Sequence, residues 1–168
     1  MKKNHGYTMI ETLIYLSLFA VLSILVINAL ITVMSSFSAT RTNRDLLEAG
    51  STSMERISRE IRRAETIDLE NSTLSSSPGV LQLYTTSNSE DSQTLRFITL
   101  NGVLKLYRDG AFVDNLIGQN ITVTSLFFRR IITSQGEAIK IEMTLRDNNS
   151  KFLQTSNFYN TIILKGEY

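Results

Sequence analysis

The chain has no cysteine, a single proline and a single histidine. Without cysteine there is no disulfide, no thiolate chemistry and no cysteine-ligated zinc. The lone histidine, His5, stands in a short basic leader, which removes the commonest general base and metal ligand from the folded part. Charge is missing over a long interval: no Asp, Glu, Lys or Arg occurs from Thr12 to Thr40. Charge of one sign is missing overall, since the formal net charge is +1. Two of the 17 basic residues, Lys2 and Lys3, belong to the leader, which leaves 15 against 16 acidic residues. That is no footprint for nucleic acid, which calls for a clustered basic surface. A length of 168 residues allows one ordinary domain and an anchor.

What is there begins with an apolar run that follows Gly6-Tyr7-Thr8-Met9-Ile10-Glu11 and extends to about Met34. Crossing the hydrocarbon layer takes roughly 20 apolar residues, and the run has them with some to spare. Glu11 lies just inside it, and a carboxylate there is expensive enough to be a functional hypothesis in need of a partner. Uncompensated Lys2 and Lys3 keep the N-terminus cytoplasmic and place everything after about Ala39 outside, although Arg41 and Arg44 follow the run closely. Three readings compete. One is a secretory signal peptide cut near Ser36-Phe37-Ser38-Ala39, against which stands a run far longer than the ~7–15 residues of such a region. The second is an uncleaved anchor. The third is a leader cut on the cytoplasmic side, before the run.

The residues Lys2-Lys3-Asn4-His5-Gly6 followed by Tyr7-Thr8-Met9-Ile10-Glu11 resemble the processing site of type IV pilins and pseudopilins. The resemblance implies cleavage by a membrane aspartyl peptidase between Gly6 and Tyr7, and methylation of the new amine on Tyr7. Family members usually carry Phe at that position; Tyr7 keeps the ring and adds a hydroxyl. Glu11 falls at the fifth mature position, where the family carries its glutamate. Thr8 to Glu11 also form a capping box, in which the two residues satisfy each other's backbone donors at a helix start. A carboxylate in the first turn is favoured by the helix dipole as well.

Cleavage creates a cation on Tyr7, about 6 Å along the axis from Glu11 at ~1.5 Å per residue. Staggered side-by-side helices would set one subunit's Glu11 beside its neighbour's amine. Such a pair offsets the cost of the charge in hydrocarbon and selects register, because a wrong register leaves the carboxylate unpaired. Glu11 is therefore expected to guide docking into a growing filament. Ser17, Ser23, Asn28 and Thr32 are the polar residues within the run. Asn28 can bond across a helix pair or to its own backbone. Many major pilins have a helix-breaking proline in this half; the one proline here is Pro78.

Past the run, Leu47, Gly50, Met54, Ile57, Ile61 and Ala64 make an apolar seam at helical spacing. Arg41/Asp45, Arg44/Glu48, Glu55/Arg59 and Arg56/Glu60 stand at i,i+4 on the other face. Residues 68–79 read as a loop or short linker from their Ser, Pro and Gly content. Strands are expected at Val80–Thr85, Thr94–Leu100, Val103–Arg108, Ala111–Val113, Ile121–Arg130, Ala138–Arg146 and Lys151–Leu164. Asn101-Gly102 predicts a type I′ hairpin, and Asp109-Gly110 repeats the device. The fold class is thus α+β: a long N-terminal hydrophobic and amphipathic helix packed on a C-terminal antiparallel β-sheet, pilin-like by the resemblance. The expected segments are a leader over 1–6, a transmembrane and assembly helix over 7–34, its amphipathic continuation over 35–67, and a β-rich head over 68–168.

No phosphate loop and no nucleophile–base pair is visible in the head, which reads as an interaction surface without catalytic residues, cofactor or metal. Ser87-Asn88-Ser89-Glu90-Asp91-Ser92 is oxygen-rich but lacks the spaced carboxylates and glycine of a calcium loop. Within the family, the helix ending at residues 54–64 and an all-β head of about 100 residues resemble J-type minor pseudopilins of type II secretion systems. That implies a role in a tip complex, in the bacterial inner membrane and then the pseudopilus. Its partners would be other pilins or pseudopilins, the prepilin peptidase and methyltransferase, the assembly platform and membrane lipid, with no direct nucleic acid. A minor type IV pilin or a competence pseudopilin shares nearly every feature. A single-span enzyme or a secreted β domain would need a catalytic group or a start near residue 40.

Overall fold

In the computed structural model, a helix α1 (Met9–Arg63) precedes eight strands: β1 (Ala64–Ile67), β2 (Leu81–Thr86), β3 (Ser92–Leu100), β4 (Val103–Arg108), β5 (Ala111–Asn115), β6 (Ile121–Thr133), β7 (Gly136–Asp147) and β8 (Thr155–Ile163). The structure describes residues 8–86, 92–133, 136–148 and 153–164. The chain divides into two units between Thr40 and Arg41.

The first unit is helical from Met9 onward. Every large apolar side chain from Met9 to Phe37 is at least 50% exposed, so this surface has no protein over it. It is long and apolar enough to cross a membrane by length and composition. Its hydroxyls turn inward on the backbone: Thr12 donates to the Met9 carbonyl, Ser17 to Ile14, Ser23 to Phe19 and Thr32 to Asn28, all at 2.8–2.9 Å. With its hydrogen bonds closed within the segment, such a helix suits a medium that offers none. The helix is unbroken through Asn28.

The second unit is built around one stripe of α1, whose buried residues include Leu46, Gly50, Met54, Ile57 and Ile61. Leu46 is 0% exposed, whereas Leu47, the expected first member of the seam, is 48% exposed. At roughly 100° per residue, Leu46 stands ~40° from Gly50 on the side of Ile57, while Leu47 stands ~60° away on the far side of the stripe. Gly50 is buried because the ring of Phe158 from β8 lies on it; a Cβ there would come within 2.1 Å of Phe158 Cζ. Polar residues also share the stripe. Ser53 Oγ lies 2.7 Å from both the Ala49 and Leu116 carbonyls. Ser58 Oγ donates to the Met54 carbonyl at 2.6 Å and accepts from Asn160 Nδ2 at 2.9 Å. Buried Glu60 pairs with Arg56 Nε at 3.2 Å, and Glu55 with Arg59 at 2.9 Å. The other two expected helix pairs, Arg41/Asp45 and Arg44/Glu48, do not close.

The helix was expected to continue to residue 67 but stops at Arg63, and Ala64–Ile67 form β1 against β2. Thr85 Oγ1 on β2 donates to the Arg63 carbonyl at 3.3 Å, giving one of the end carbonyls a partner as the chain turns into the sheet. The expected single sheet is two: a five-stranded sheet in the order β1-β2-β3-β4-β5 and a three-stranded sheet β6-β7-β8, with antiparallel neighbours throughout. The split follows from the residues after β5. Leu116 N donates to the Leu104 carbonyl at 2.8 Å, Ile117 turns into the core, and Val123 N donates to the Gly102 carbonyl at 2.8 Å. The chain thereby crosses to the end of the β3–β4 hairpin instead of adding to β5. Inward-facing Leu81, Phe97 and Leu106 align across β2, β3 and β4, and Phe128 and Ile141 pair across β6 and β7. All are fully buried in one core with Ile57 and Ile61 of α1.

Both glycine turns form as expected: Asn101 and Gly102 have φ of 52° and 75°, Asp109 and Gly110 of 50° and 77°. The segment 68–79 is not a linker. Ser75 N and Gly79 N donate at 2.8 Å to the Phe128 and Leu126 carbonyls, so the loop seals the free edge of β6.

Candidate processing and assembly site

Thr8 precedes the first helical residue, so its side chain and carbonyl can serve the first turn's unpaired donors. Glu11 N lies 3.0 Å from the Thr8 carbonyl and 3.4 Å from Thr8 Oγ1. That is the capping half of the expected box, and it puts the Glu11 carboxylate in the first turn, on the favourable end of the helix dipole. One turn further on, Tyr15 Oη donates to Glu11 Oε1 at 3.0 Å. Of the expected site residues, Glu11 is therefore placed. Gly6 and Tyr7, the expected cleavage and methylation pair, and the leader lysines Lys2 and Lys3 lie outside the described residues.

Tyr15 is the member of this cluster that sequence reasoning missed. In an apolar run a tyrosine reads as one more hydrophobic residue. Its signal was the i,i+4 spacing from the one carboxylate, which brings the two side chains over the same turn.

The head has a carboxylate of its own. Asp68, only 5% exposed, accepts at Oδ2 from Asn71 Nδ2 at 2.8 Å, Gln82 Nε2 at 2.9 Å and Tyr84 Oη at 2.8 Å, and at Oδ1 from Asn71 N at 3.2 Å. The Asn71 side chain, against the opposing cost of burial and with help from Tyr84, holds the Asp68 carboxyl below its ordinary range. These bonds tie the start of the 68–79 loop to β2. Surface depressions among the described residues accompany this unit. One of 310 Å³ is lined by Glu65, Ile67, Arg130, Glu137 and Leu164. Another, of 390 Å³, lies between Thr52–Arg59 of α1 and Val113–Leu116. The oxygen-rich stretch 87–91 lies outside the described residues.

The first 27 residues match the prokaryotic N-terminal methylation motif. The match supports the likeness of this N-terminus to those of type IV pilins and pseudopilins. No curated protein and no solved structure matches it. The motif implies processing by prepilin peptidase and assembly with other pilins, and the apolar helix is consistent with a membrane anchor by its length and composition. The pilin-like motif ends at residue 27, so it takes in Thr8, Glu11 and Tyr15 together with most of the exposed apolar surface.

Proposed function

We propose that the protein is a minor pseudopilin, a non-enzymatic subunit assembled into the tip of a type II secretion pseudopilus from the bacterial inner membrane. The N-terminus lies on the cytoplasmic side and the β head outside until assembly. The observation that carries the reading is the coincidence, within residues 1–27, of the methylation motif with a bare apolar helix holding one carboxylate near its start. In this reading the amine that cleavage leaves on Tyr7 docks against Glu11 of a neighbouring subunit. A register that misses Glu11 leaves a carboxylate unpaired in hydrocarbon, which makes docking selective. The all-antiparallel head with its internally bonded Asp68 supports a structural part more than a reaction site.

Intact mass of the mature protein from native membranes tests the processing step. Methylated Tyr7 at the N-terminus is expected, and a start near residue 40 or an intact Met1 would overturn the reading. Glu11→Ala is expected to leave cleavage unchanged and to deplete the filament fraction. Partners captured on the head assign the system: secretion components are expected, and pilus or DNA-uptake components would reassign the protein to a minor type IV pilin or competence pseudopilin.

A further inference from the structure

Glu11 enters the membrane with a hydroxyl already on it. We propose that Tyr15 is the positioning residue for the Glu11 carboxylate, holding one oxygen and leaving the other to the docking amine. The inference rests on the docking role of Glu11 set out above.

Helical side chains lean toward the N-terminus, so the Tyr15 ring runs back along α1 toward Glu11, one turn before it. The hydroxyl meets Oε1 at 3.0 Å. The neighbouring hydroxyls are spent elsewhere, Thr12 on the Met9 carbonyl and Ser17 on the Ile14 carbonyl. Tyr15 is thus the side-chain donor that reaches the carboxylate among the described residues. No cation is available within the run, because charge is absent from Thr12 to Thr40. A carboxylate facing hydrocarbon without a donor bears the full cost of its lost hydration. The tyrosine reduces that cost while the subunit waits unassembled. Because it contacts Oε1 alone, it fixes the direction of the carboxylate without closing the site to a second donor. A phenylalanine would fill the same apolar volume and supply none of this.

The test uses the full-length mature protein in lipid vesicles and in cells. Infrared carboxylate bands are recorded for wild type and Tyr15→Phe, with the Glu11 contribution isolated by subtracting the spectrum of Glu11→Gln. Tyr15→Phe is expected to shift the Glu11 band, which a role in packing alone would leave in place. In cells, Tyr15→Phe is expected to lower the filament-incorporated share about threefold, the scale of one hydrogen bond in a membrane, at equal membrane pool and equal cleavage. An unshifted band overturns the proposal. So does full incorporation of Tyr15→Phe when Glu11→Gln is lost from filaments, an outcome that leaves the docking role intact. Full incorporation of Glu11→Gln overturns the docking role and the proposal with it.

Discussion

Gly50 is the residue on which the head's contact with its own helix turns. The Phe158 ring occupies the space a side chain would need, with Cζ 2.1 Å from the position of a Cβ. Gly50→Ala is expected to destabilise the head by about 1–3 kcal/mol through overpacking. Urea unfolding of the detergent-solubilised chain measures it, and Phe158→Leu in the same background should recover part of the loss. Asp68 sets a second residue-scale expectation. Its folded pKa is depressed, so its stabilisation is complete above the ordinary value of 3.8 and is lost as pH falls through the folded value. Stability should therefore decline below about pH 4 in the wild type, and more shallowly in Asp68→Asn, which is also less stable at neutral pH. Thermal melts across pH 2–7 give both slopes. Glu11 could be read directly from its place in the run, whereas Asp68 could not. Its partners Asn71, Gln82 and Tyr84 are up to 16 residues away, and only the pairing of the loop with β2 gathers them.

Among the elements, α1 shows how a periodic pattern can be right in kind and displaced by one position. Leu46 and Leu47 are the same residue type side by side, and either continues a helical seam; Leu46 falls on the Ile57 side of Gly50 and is buried, whereas Leu47 falls on the far side and is exposed. Leu46→Ala is expected to cost about 2–5 kcal/mol and Leu47→Ala under ~0.5 kcal/mol in chemical denaturation. The strands were legible where turn dipeptides bounded them, as at Asn101-Gly102 and Asp109-Gly110. Strand β1 was hidden because Ala64-Glu65-Thr66-Ile67 follows the charged helix with no glycine or proline between. The two turns also separate two effects of a glycine. Both have positive φ, but a Cβ at Gly102 meets Thr122 Cγ2 at 2.5 Å, while nothing lies within 4 Å at Gly110. Gly110→Ala should therefore cost the backbone strain alone, about 1–2 kcal/mol, and Gly102→Ala more. Comparison of the two unfolding midpoints checks the order.

For the whole molecule, the buried core begins at Leu46 and draws nothing from residues before it. Residues 41–168 are therefore expected to fold without the first 40 and to stay soluble without detergent. Circular dichroism and sedimentation of that fragment check this. The division into apolar anchor and β head was readable from charge alone, as Thr12–Thr40 lacks it and Arg41 resumes it. The split into two sheets was not. It depends on Ile117 turning inward and on Val123 bonding to Gly102, contacts that no alternation of apolar and polar residues announces.

The inward-turned hydroxyls of the first unit leave few polar groups facing out. Between Met9 and Met34, what is left besides the Glu11–Tyr15 pair is the side-chain amide of Asn28, which has no hydrogen-bond partner among the described residues. At 3.6 residues per turn and 1.5 Å per residue, Asn28 stands about 25 Å along the axis from Glu11 and about 100° around it. A straight parallel neighbour lying along the Glu11 azimuth runs past Asn28 by more than a quarter turn. The anchor is thus addressed in two directions at two depths, one by charge near its start and one by an amide far down its length. In a bundle of such helices, a straight neighbour on the Glu11 azimuth leaves the Asn28 side to face elsewhere.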